Sequence, residues 1–392
     1  MIGQRIPKNQ TFSKRSILTV YLSGFLILMN LMISLTLLPL YVKYRGGSDF
    51  IVGLQSSVFT LASVLFRLYF GPLADSVGRK FPLLLGSFVF ATAPILIWLS
   101  PNFFYMLLAR MYQAIGMATF LSAASSSIAD MVSDEKRGTA IGLYRSMAAA
   151  TFTVGSFLGY YLINNFGFPV FFIALSSSSL FGMLILFTVN LPEGAMKKAG
   201  GSVKPHDLLS LIKNKDLRAS YVGIILTASS SGAVLTFTAV YLATLPDTVS
   251  PPFFFTIYGI SGIVASTFAG FLSGRIKHIT MVFPFILSFG VGLFILGTVF
   301  LADSYIFLAA PVLISFGYVA SITNYSTWII ECAPEKLRAS ALSFQESSMD
   351  IGSTIGILFF GIMASLFYYA PLFAGLGLLT LTFPLAVKAV RR

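Results

Sequence analysis

Two acidic side chains lie within one long apolar stretch near the end of the chain. Glu346 and Asp350 are four residues apart, so a helix would place both carboxyl groups on the same face. Measured along such a helix from Arg338, they lie about 12 Å and about 18 Å deep, which places Asp350 near the middle of a membrane. Two neighbouring carboxylates in a medium of low dielectric constant cannot both ionise easily. The pair therefore predicts a proton carrier, with Asp350 acting in coupling or in substrate binding.

Basic side chains also lie within apolar stretches. An ionisable group inside a bilayer costs at least about 2.5 kcal/mol on insertion scales, so each one is a functional candidate. Arg110 with Gln113 could organise a hydrogen-bonded proton path, or Arg110 could be a fixed buried donor satisfied by carbonyl groups. Arg145 could attract an anionic or zwitterionic substrate, or reach the membrane edge with its charged end.

A short polar segment, GPLADSVGRK, separates two other apolar stretches. Because glycine has no Cβ, Gly71 and Gly78 allow a neighbouring group to approach the backbone closely and the chain to make an unusual turn. Arg79 and Lys80 would anchor the segment on the cytoplasmic face. Asp75 can pair with a base, or with the N-terminus of a neighbouring helix, in one conformation and release it in another. The segment predicts a gating loop, and the alternative is an ordinary polar turn.

Composition places the chain in a membrane. Of its 392 residues, 56% are hydrophobic and 10% are charged, and the mean hydropathy is +0.85. About a quarter of a soluble domain is charged. We therefore expect an all-α integral membrane protein with 12 transmembrane helices, each able to cross about 30 Å of hydrocarbon. The predicted spans are 16–42, 51–70, 81–99, 104–128, 139–163, 168–190, 219–244, 252–272, 279–301, 304–329, 340–366 and 371–388.

The distribution of lysine and arginine predicts the orientation. Most of these residues lie in the N-terminus, the even-numbered connections and the C-terminus, whereas the odd-numbered connections carry Lys43 and Arg45. Both termini are therefore expected in the cytoplasm of a multi-pass cell (inner) membrane protein. The net charge of +12 is divided among short loops, so no nucleic-acid partner is expected.

The chain is predicted to consist of two halves. Residues 1–190 and 219–392 each contain six spans, and residues 191–218 form a lysine-rich cytoplasmic linker between them. The halves look like copies, because at an offset of 201 residues Asp130 matches Glu331 and Arg137 matches Arg338. Duplicated halves are typical of carriers in which one half rocks against the other. Asp130 and Arg137, which follow the fourth span, are candidate gating residues.

The segment GPLADSVGRK resembles the signature loop of the major facilitator superfamily, and the resemblance covers nearly the whole chain. It implies two pseudo-symmetric six-helix bundles. RMYQAIG, which begins at Arg110, is similar to the Arg-x-x-Gln-Gly-x-Gly pattern of proton-coupled members, with Ala114 in place of the first glycine. Gly155 to Gly159 lies where drug/proton antiporters carry Gly-Pro-x-x-Gly-Gly, with Ser156 in place of the proline and Tyr160 in place of the last glycine.

The resemblance also assigns roles to polar residues. In that fold the first, fourth and tenth spans line the cavity, so polar side chains on these spans could bind substrate or only bridge helices. These cavity candidates are Asn30, Tyr112, Asn324 and Tyr325. The second and eleventh helices pack together, which implies a structural or gating ion pair between Arg67 and Glu346 as an alternative to a proton-carrying Glu346.

The leading functional hypothesis is a proton-coupled exporter of small amphipathic organic molecules, similar to the drug-efflux branch. The alternative is a proton-coupled carrier of a specific polar or anionic metabolite, such as a sugar, a carboxylate or a metal-chelating metabolite. We expect a monomer with no cofactor, because the chain lacks the phosphate loop of nucleotide hydrolases and would draw energy from a proton gradient. An intramembrane enzyme and a channel are disfavoured, and no metal site is expected.

Overall fold

The computed structural model describes most of the chain. The described residues are 14–76, 78–132, 137–189, 211, 213–245, 250–272, 275–298, 307–334 and 337–391.

These residues form helices and, within the described ranges, no strand. The helices are α1 Lys14–Tyr44, α2 Asp49–Ser76, α3 Lys80–Trp98, α4 Phe103–Asp130, α5 Arg137–Phe187, α6 Lys215–Leu242, α7 Pro251–Leu272, α8 His278–Thr298, α9 Ala309–Cys332, α10 Arg338–Ala364, α11 Tyr369–Thr380 and α12 Phe383–Arg391. Nine segments of the described chain are long and apolar enough to cross a membrane. The predicted all-α membrane fold is confirmed.

Local sequence explains where several helices begin and break. Asn102 caps α4 by accepting a hydrogen bond from the Tyr105 amide at 3.2 Å. Asn214 caps α6 in the same way, with the amide of Asp216 at 2.9 Å. Within α5 the backbone leaves the helical region at Gly167, where φ is 77° and ψ is 176°. This break falls between the fifth and sixth predicted spans, so α5 contains both.

The described chain forms two compact units. The first comprises Met1–Met32, Ala62–Thr151 and Asn165–Ser202, and the second comprises Ile33–Leu61, Phe152–Asn164 and Val203–Arg392. The linker predicted at 191–218 lies largely outside the described residues. The predicted division into two halves therefore stays a prediction.

Helix crossings in the second unit are close. In this unit α10 packs against α6, and α9 packs against α7 and α8. Gly352 lies against the backbone of Ile225, and Gly356 lies against the backbone of Ser229. A Cβ at Gly356 would collide with the Ser229 carbonyl oxygen, so the α6–α10 crossing requires glycine there. This crossing fixes the position of the helix that carries the acid pair.

The first turns of α2, which belong to the same unit, also contact α10 and α11. The hydroxyls of Thr60 and Thr354 are 2.8 Å apart, and the Ser57 hydroxyl donates to the Thr354 carbonyl at 3.4 Å. The Tyr369 hydroxyl donates to Asp49, which also pairs with Lys43 at 3.0 Å. Short hydroxyl side chains thus form a polar seam between α2 and α10.

Candidate functional site

The acid pair lies on α10, within the second unit. Asp350 is half-buried and Glu346 is exposed. The Thr354 hydroxyl donates to the Asp350 carbonyl oxygen at 2.8 Å, as a side chain one turn further along the helix can. Both carboxylates lie within electrostatic range of the Tyr318 hydroxyl on α9. The structure therefore places a phenol within electrostatic range of the two acids.

A second phenol lies near the first. Tyr258 of α7 and Tyr318 of α9 both approach the hydroxyl of Ser231 on α6. Tyr258 and Ser231 are buried, with exposed fractions of 5% and 2%. The Tyr258 ring also contacts Phe152, with ring centroids 6.0 Å apart. Four helices of the second unit thus bring hydroxyl, aromatic and carboxyl groups into one neighbourhood.

Sequence reasoning missed Ser231, Tyr258 and Tyr318. The available signal was weak, because a tyrosine or serine in an apolar span is common at helix contacts and at interfaces. Their convergence depends on how α6, α7 and α9 are rotated about their axes. Chemically, the group can hold and release a proton at a carboxylate.

Arg110 and Gln113 lie on α4, in the first unit. Arg110 and Gln113 are both fully buried, and the Arg110 Nη1 atom donates to the Gln113 side-chain oxygen. The i, i+3 spacing on a helix brings the two side chains together. The structure thus forms the predicted pair, and its role in a proton path stays a prediction.

Asn30 and Tyr112 contact other helices within the first unit. The Asn30 side-chain nitrogen donates to the carbonyl oxygens of Phe90 at 2.8 Å and Leu175 at 3.0 Å, and to the Ser179 hydroxyl at 2.8 Å. Its amide therefore joins α1 to α3 and to the end of α5. The Tyr112 hydroxyl lies 2.9 Å from the Thr92 hydroxyl on α3. Both contacts match the helix-bridging alternative, and substrate binding by either residue stays a prediction.

Asn324 and Tyr325 are neighbours on α9 with fully buried side chains. The Asn324 amide contacts His278, the first residue of α8. The Tyr325 hydroxyl packs against the backbone of Gly223 on α6. In this structure both side chains are held by neighbouring helices, so they would have to rearrange to contact a substrate.

The predicted gating loop is partly described. Gly78 has φ 91°, a backbone conformation that favours glycine, and it precedes Arg79 and the start of α3 at Lys80. The backbones of Gly71 and Asp75 belong to the last turns of α2, and their side chains lie outside the described residues. The glycine at position 78 thus supplies the sharp turn that the sequence predicted.

The structure places the remaining predicted site residues along the helices. Arg67 lies on α2 in the first unit and is half-buried, whereas Glu346 belongs to the second, so their predicted ion pair stays a prediction. Asp130 ends α4, and Arg137 begins α5, which also carries Arg145. The side chains of these three residues lie outside the described part of the chain.

The second unit also contains a cavity of about 320 Å³ near the start of α11. Its wall includes Tyr241, Tyr368 and Tyr369, and none of the predicted site residues lines it. Among the described residues, no cluster of three or more His, Cys, Asp or Glu side chains could hold a metal ion.

Known proteins resemble this chain along most of its length. A 21% identical relative is the Uncharacterized MFS-type transporter MJ1560 of Methanocaldococcus jannaschii, with 90% of this chain and 92% of the relative covered. Multidrug resistance protein MdtG of Proteus mirabilis is 24% identical, with 94% and 93% covered. Among solved structures, nucleoside transporter NupG superposes with a TM-score of 0.81 at 14% identity, over 96% of this chain and 99% of that one.

The family assignment rests on the whole chain. Residues 20–251 and 252–392 match the Major Facilitator Superfamily. The family and these relatives are transporters, which agrees with a multi-pass helical membrane protein and excludes the enzyme alternative. This chain belongs to the major facilitator superfamily and is a membrane transporter of small molecules.

Proposed function

We propose that the chain is a proton-coupled exporter of small amphipathic organic molecules. The observation that carries this proposal is the acid pair on α10, where Asp350 and Glu346 lie near the Tyr318 hydroxyl. An acid in a membrane helix that remains partly accessible can exchange protons with water in one conformation and lose that access in another. The similarity to MdtG, which is named a multidrug resistance protein, supports an efflux role.

The acid pair suggests how transport and proton movement are coupled. A proton arriving from outside neutralises Asp350 or Glu346 and removes the charge that holds a cationic substrate. The substrate leaves, the carrier returns to its inward-open form, and the proton is released to the cytoplasm. The protonated carrier and the substrate-bound carrier differ by one charge at the same carboxyl group, so the proton and the substrate compete for that group.

The energy source and the orientation belong to the same proposal. The proton gradient drives transport without a bound cofactor, and the protein acts as a monomer in the cell (inner) membrane with both termini in the cytoplasm. The gating loop, with Asp75 as its acid, closes the cytoplasmic entrance in one conformation.

Transport into liposomes tests the proposal. Purified protein is reconstituted, a pH gradient is imposed, and uptake of a lipophilic cationic dye is measured for the intact chain and for Asp350→Asn. Asp216→Asn is the matched control, because Asp216 pairs with Arg391 at 2.6 Å and does not belong to the acid pair. We expect the intact chain and the control to concentrate the dye, and Asp350→Asn to fail.

The same assay separates the alternative carrier of a polar or anionic metabolite. If the intact chain ignores the dye but binds protons, the drug-exporter proposal is wrong, and anionic metabolites are then screened against Arg110→Gln and Arg145→Gln. Dependence of anion transport on these arginines would establish the alternative.

A further inference from the structure

His278 occupies an unusual position at the start of α8. The side chain is 9% exposed. Its ring lies nearly parallel to that of Trp328 on α9, with centroids 6.2 Å apart and an interplanar angle of 16°. A histidine at a helix end would ordinarily be exposed to water, so its burial calls for polar partners.

Both ring nitrogens of His278 have such partners. The Nδ1 atom lies 2.8 Å from the Asn324 side-chain oxygen, and the Nε2 atom lies 2.8 Å from a Glu331 carboxylate oxygen. The Asn324 side-chain nitrogen donates to the His278 carbonyl oxygen at 3.1 Å. This third bond fixes the orientation of the Asn324 amide, because the opposite orientation would place two oxygens against each other.

The chemistry of these partners determines which form of the ring fits. An amide oxygen and a carboxylate oxygen only accept hydrogen bonds, and a neutral imidazole has one donor nitrogen and one acceptor nitrogen. A neutral ring would therefore direct a lone pair at one of the two oxygens. The positively charged ring donates from both nitrogens and satisfies both contacts.

The other charged groups near the His278 ring do not take the place of Asn324 or Glu331 as its partners. The guanidinium carbon of Arg391 on α12 lies 5.6 Å from the Trp328 ring centroid, and its side chain pairs with Asp216 of α6. Lys277 precedes His278 in the chain, and the Arg275 guanidinium lies 3.9 Å from the Phe271 ring centroid. Glu331 is the carboxylate that contacts the ring directly among the described residues.

We propose that His278, Asn324 and Glu331 form a proton-binding site, separate from the acid pair on α10, that fastens the start of α8 to α9 when the proton is bound. Loss of the proton removes one of the two ring contacts and loosens this helix pair. The site does not depend on the identity of the transported substrate or on the direction of transport.

Nitrogen NMR of histidine tests the proposal directly. The chain has two histidines, so His206→Gln leaves His278 as the only one. We would label histidine with ¹⁵N in this background, reconstitute the protein in lipid and record the ring nitrogens of the intact site and of Glu331→Gln under the same conditions. We expect both nitrogens to carry protons when Glu331 is present, and a larger share of neutral rings in Glu331→Gln.

Asp216→Asn is the matched control for this experiment. It removes an acid from the same end of the second unit without removing a ring contact, so we expect the ring signals to remain those of the intact site. The proposal is wrong if the ring is mainly neutral with Glu331 present. It is equally wrong if Glu331→Gln and Asp216→Asn have the same effect.

Tryptophan fluorescence provides a second measurement that does not require the Glu331 variant to fold. The chain has two tryptophans, and Trp98→Phe leaves Trp328 as the only one. A charged imidazole beside an indole ring quenches its fluorescence, so Trp328 emission should increase as the pH is raised and His278 loses its proton. Substitution His278→Gln should abolish this pH dependence, and an unchanged dependence in that variant would overturn the proposal.

Discussion

The polar candidates Asn30 and Arg110 of the first unit and the acid pair of the second unit differ in how far they are buried. In the first unit, Asn30 contacts acceptors on two other helices, and Arg110 is enclosed with Gln113. In the second unit, Asp350 is only half-buried and Glu346 is exposed. An enclosed amide that bonds to other helices, as that of Asn30 does, can hold those helices together, whereas a carboxyl group that keeps accessible surface can exchange a proton. The comparison separates a helix-bridging amide in the first unit from a more accessible acid pair in the second.

The largest expected effect is loss of transport in Asp350→Asn with the fold intact. The substituted amide has nearly the same shape, so we expect thermal unfolding in detergent to change by no more than the equivalent of about 0.5 kcal/mol. Asp350→Glu keeps an ionisable group and should retain part of the activity. Equal loss in both variants would mean that position 350 requires a shape and not a proton.

The second largest effect is expected at the α6–α10 crossing. Gly356→Val would force α10 away from Ser229 and should lower stability by about 3 kcal/mol, at the upper end of the cost of overpacking. The control is Gly375→Val, since no atom lies within 4 Å of a Cβ built there. Thermal unfolding of both variants measures the difference, and equal unfolding temperatures would refute the close crossing.

An intermediate effect on stability is expected for Asn30→Leu. Removing an amide whose two N–H hydrogens are shared among three acceptors should cost about 1 to 2 kcal/mol, because hydrogen bonds between membrane helices contribute about 0.6 kcal/mol on average and at most about 1.7 kcal/mol. Ser179→Ala removes only one of the three bonds and should cost less. Transport per folded molecule should be unchanged in both, and a selective loss of transport would show that Asn30 contacts the substrate.

The smallest effect is expected for Tyr318→Phe, which removes a hydroxyl within electrostatic range of the two carboxylates. We expect proton-driven transport to slow by no more than roughly fivefold, the equivalent of about 1 kcal/mol. Tyr112→Phe is the matched control in the first unit, where the hydroxyl contacts Thr92. If Tyr112→Phe slowed transport as much as Tyr318→Phe, the contrast between the units would not hold.

Most of the fold follows from hydropathy and local signals in the sequence. The apolar stretches become helices because a bilayer leaves the backbone no other partner for its polar groups. Helix ends deviate by a few residues where a side chain decides them: Asn214 starts α6 at Lys215, whereas the apolar pattern begins at 219. The last predicted span, 371–388, is formed by two helices, α11 and α12.

The site was predicted only where its partners are close in sequence. Arg110 and Gln113 follow from their spacing on one helix. The sequence could not predict that Tyr318 lies within electrostatic range of Asp350, because hydropathy does not specify how a helix is rotated in a bundle. The contacts of His278 could not be predicted, since its partners, Asn324 and Glu331, are 46 and 53 residues away in the sequence.

Substitutions in the polar seam between α2 and α10 offer a way to adjust the rate of transport without altering the acid pair. The Thr354 hydroxyl lies 2.8 Å from the Asp350 carbonyl oxygen and 2.8 Å from the Thr60 hydroxyl, and either threonine can donate in the contact between the two. Replacing Thr354 with valine would remove both bonds while keeping the side-chain volume. For protein engineering, substitutions at position 354 can therefore weaken the contact between α2 and α10 in small steps, one helical turn away from Asp350.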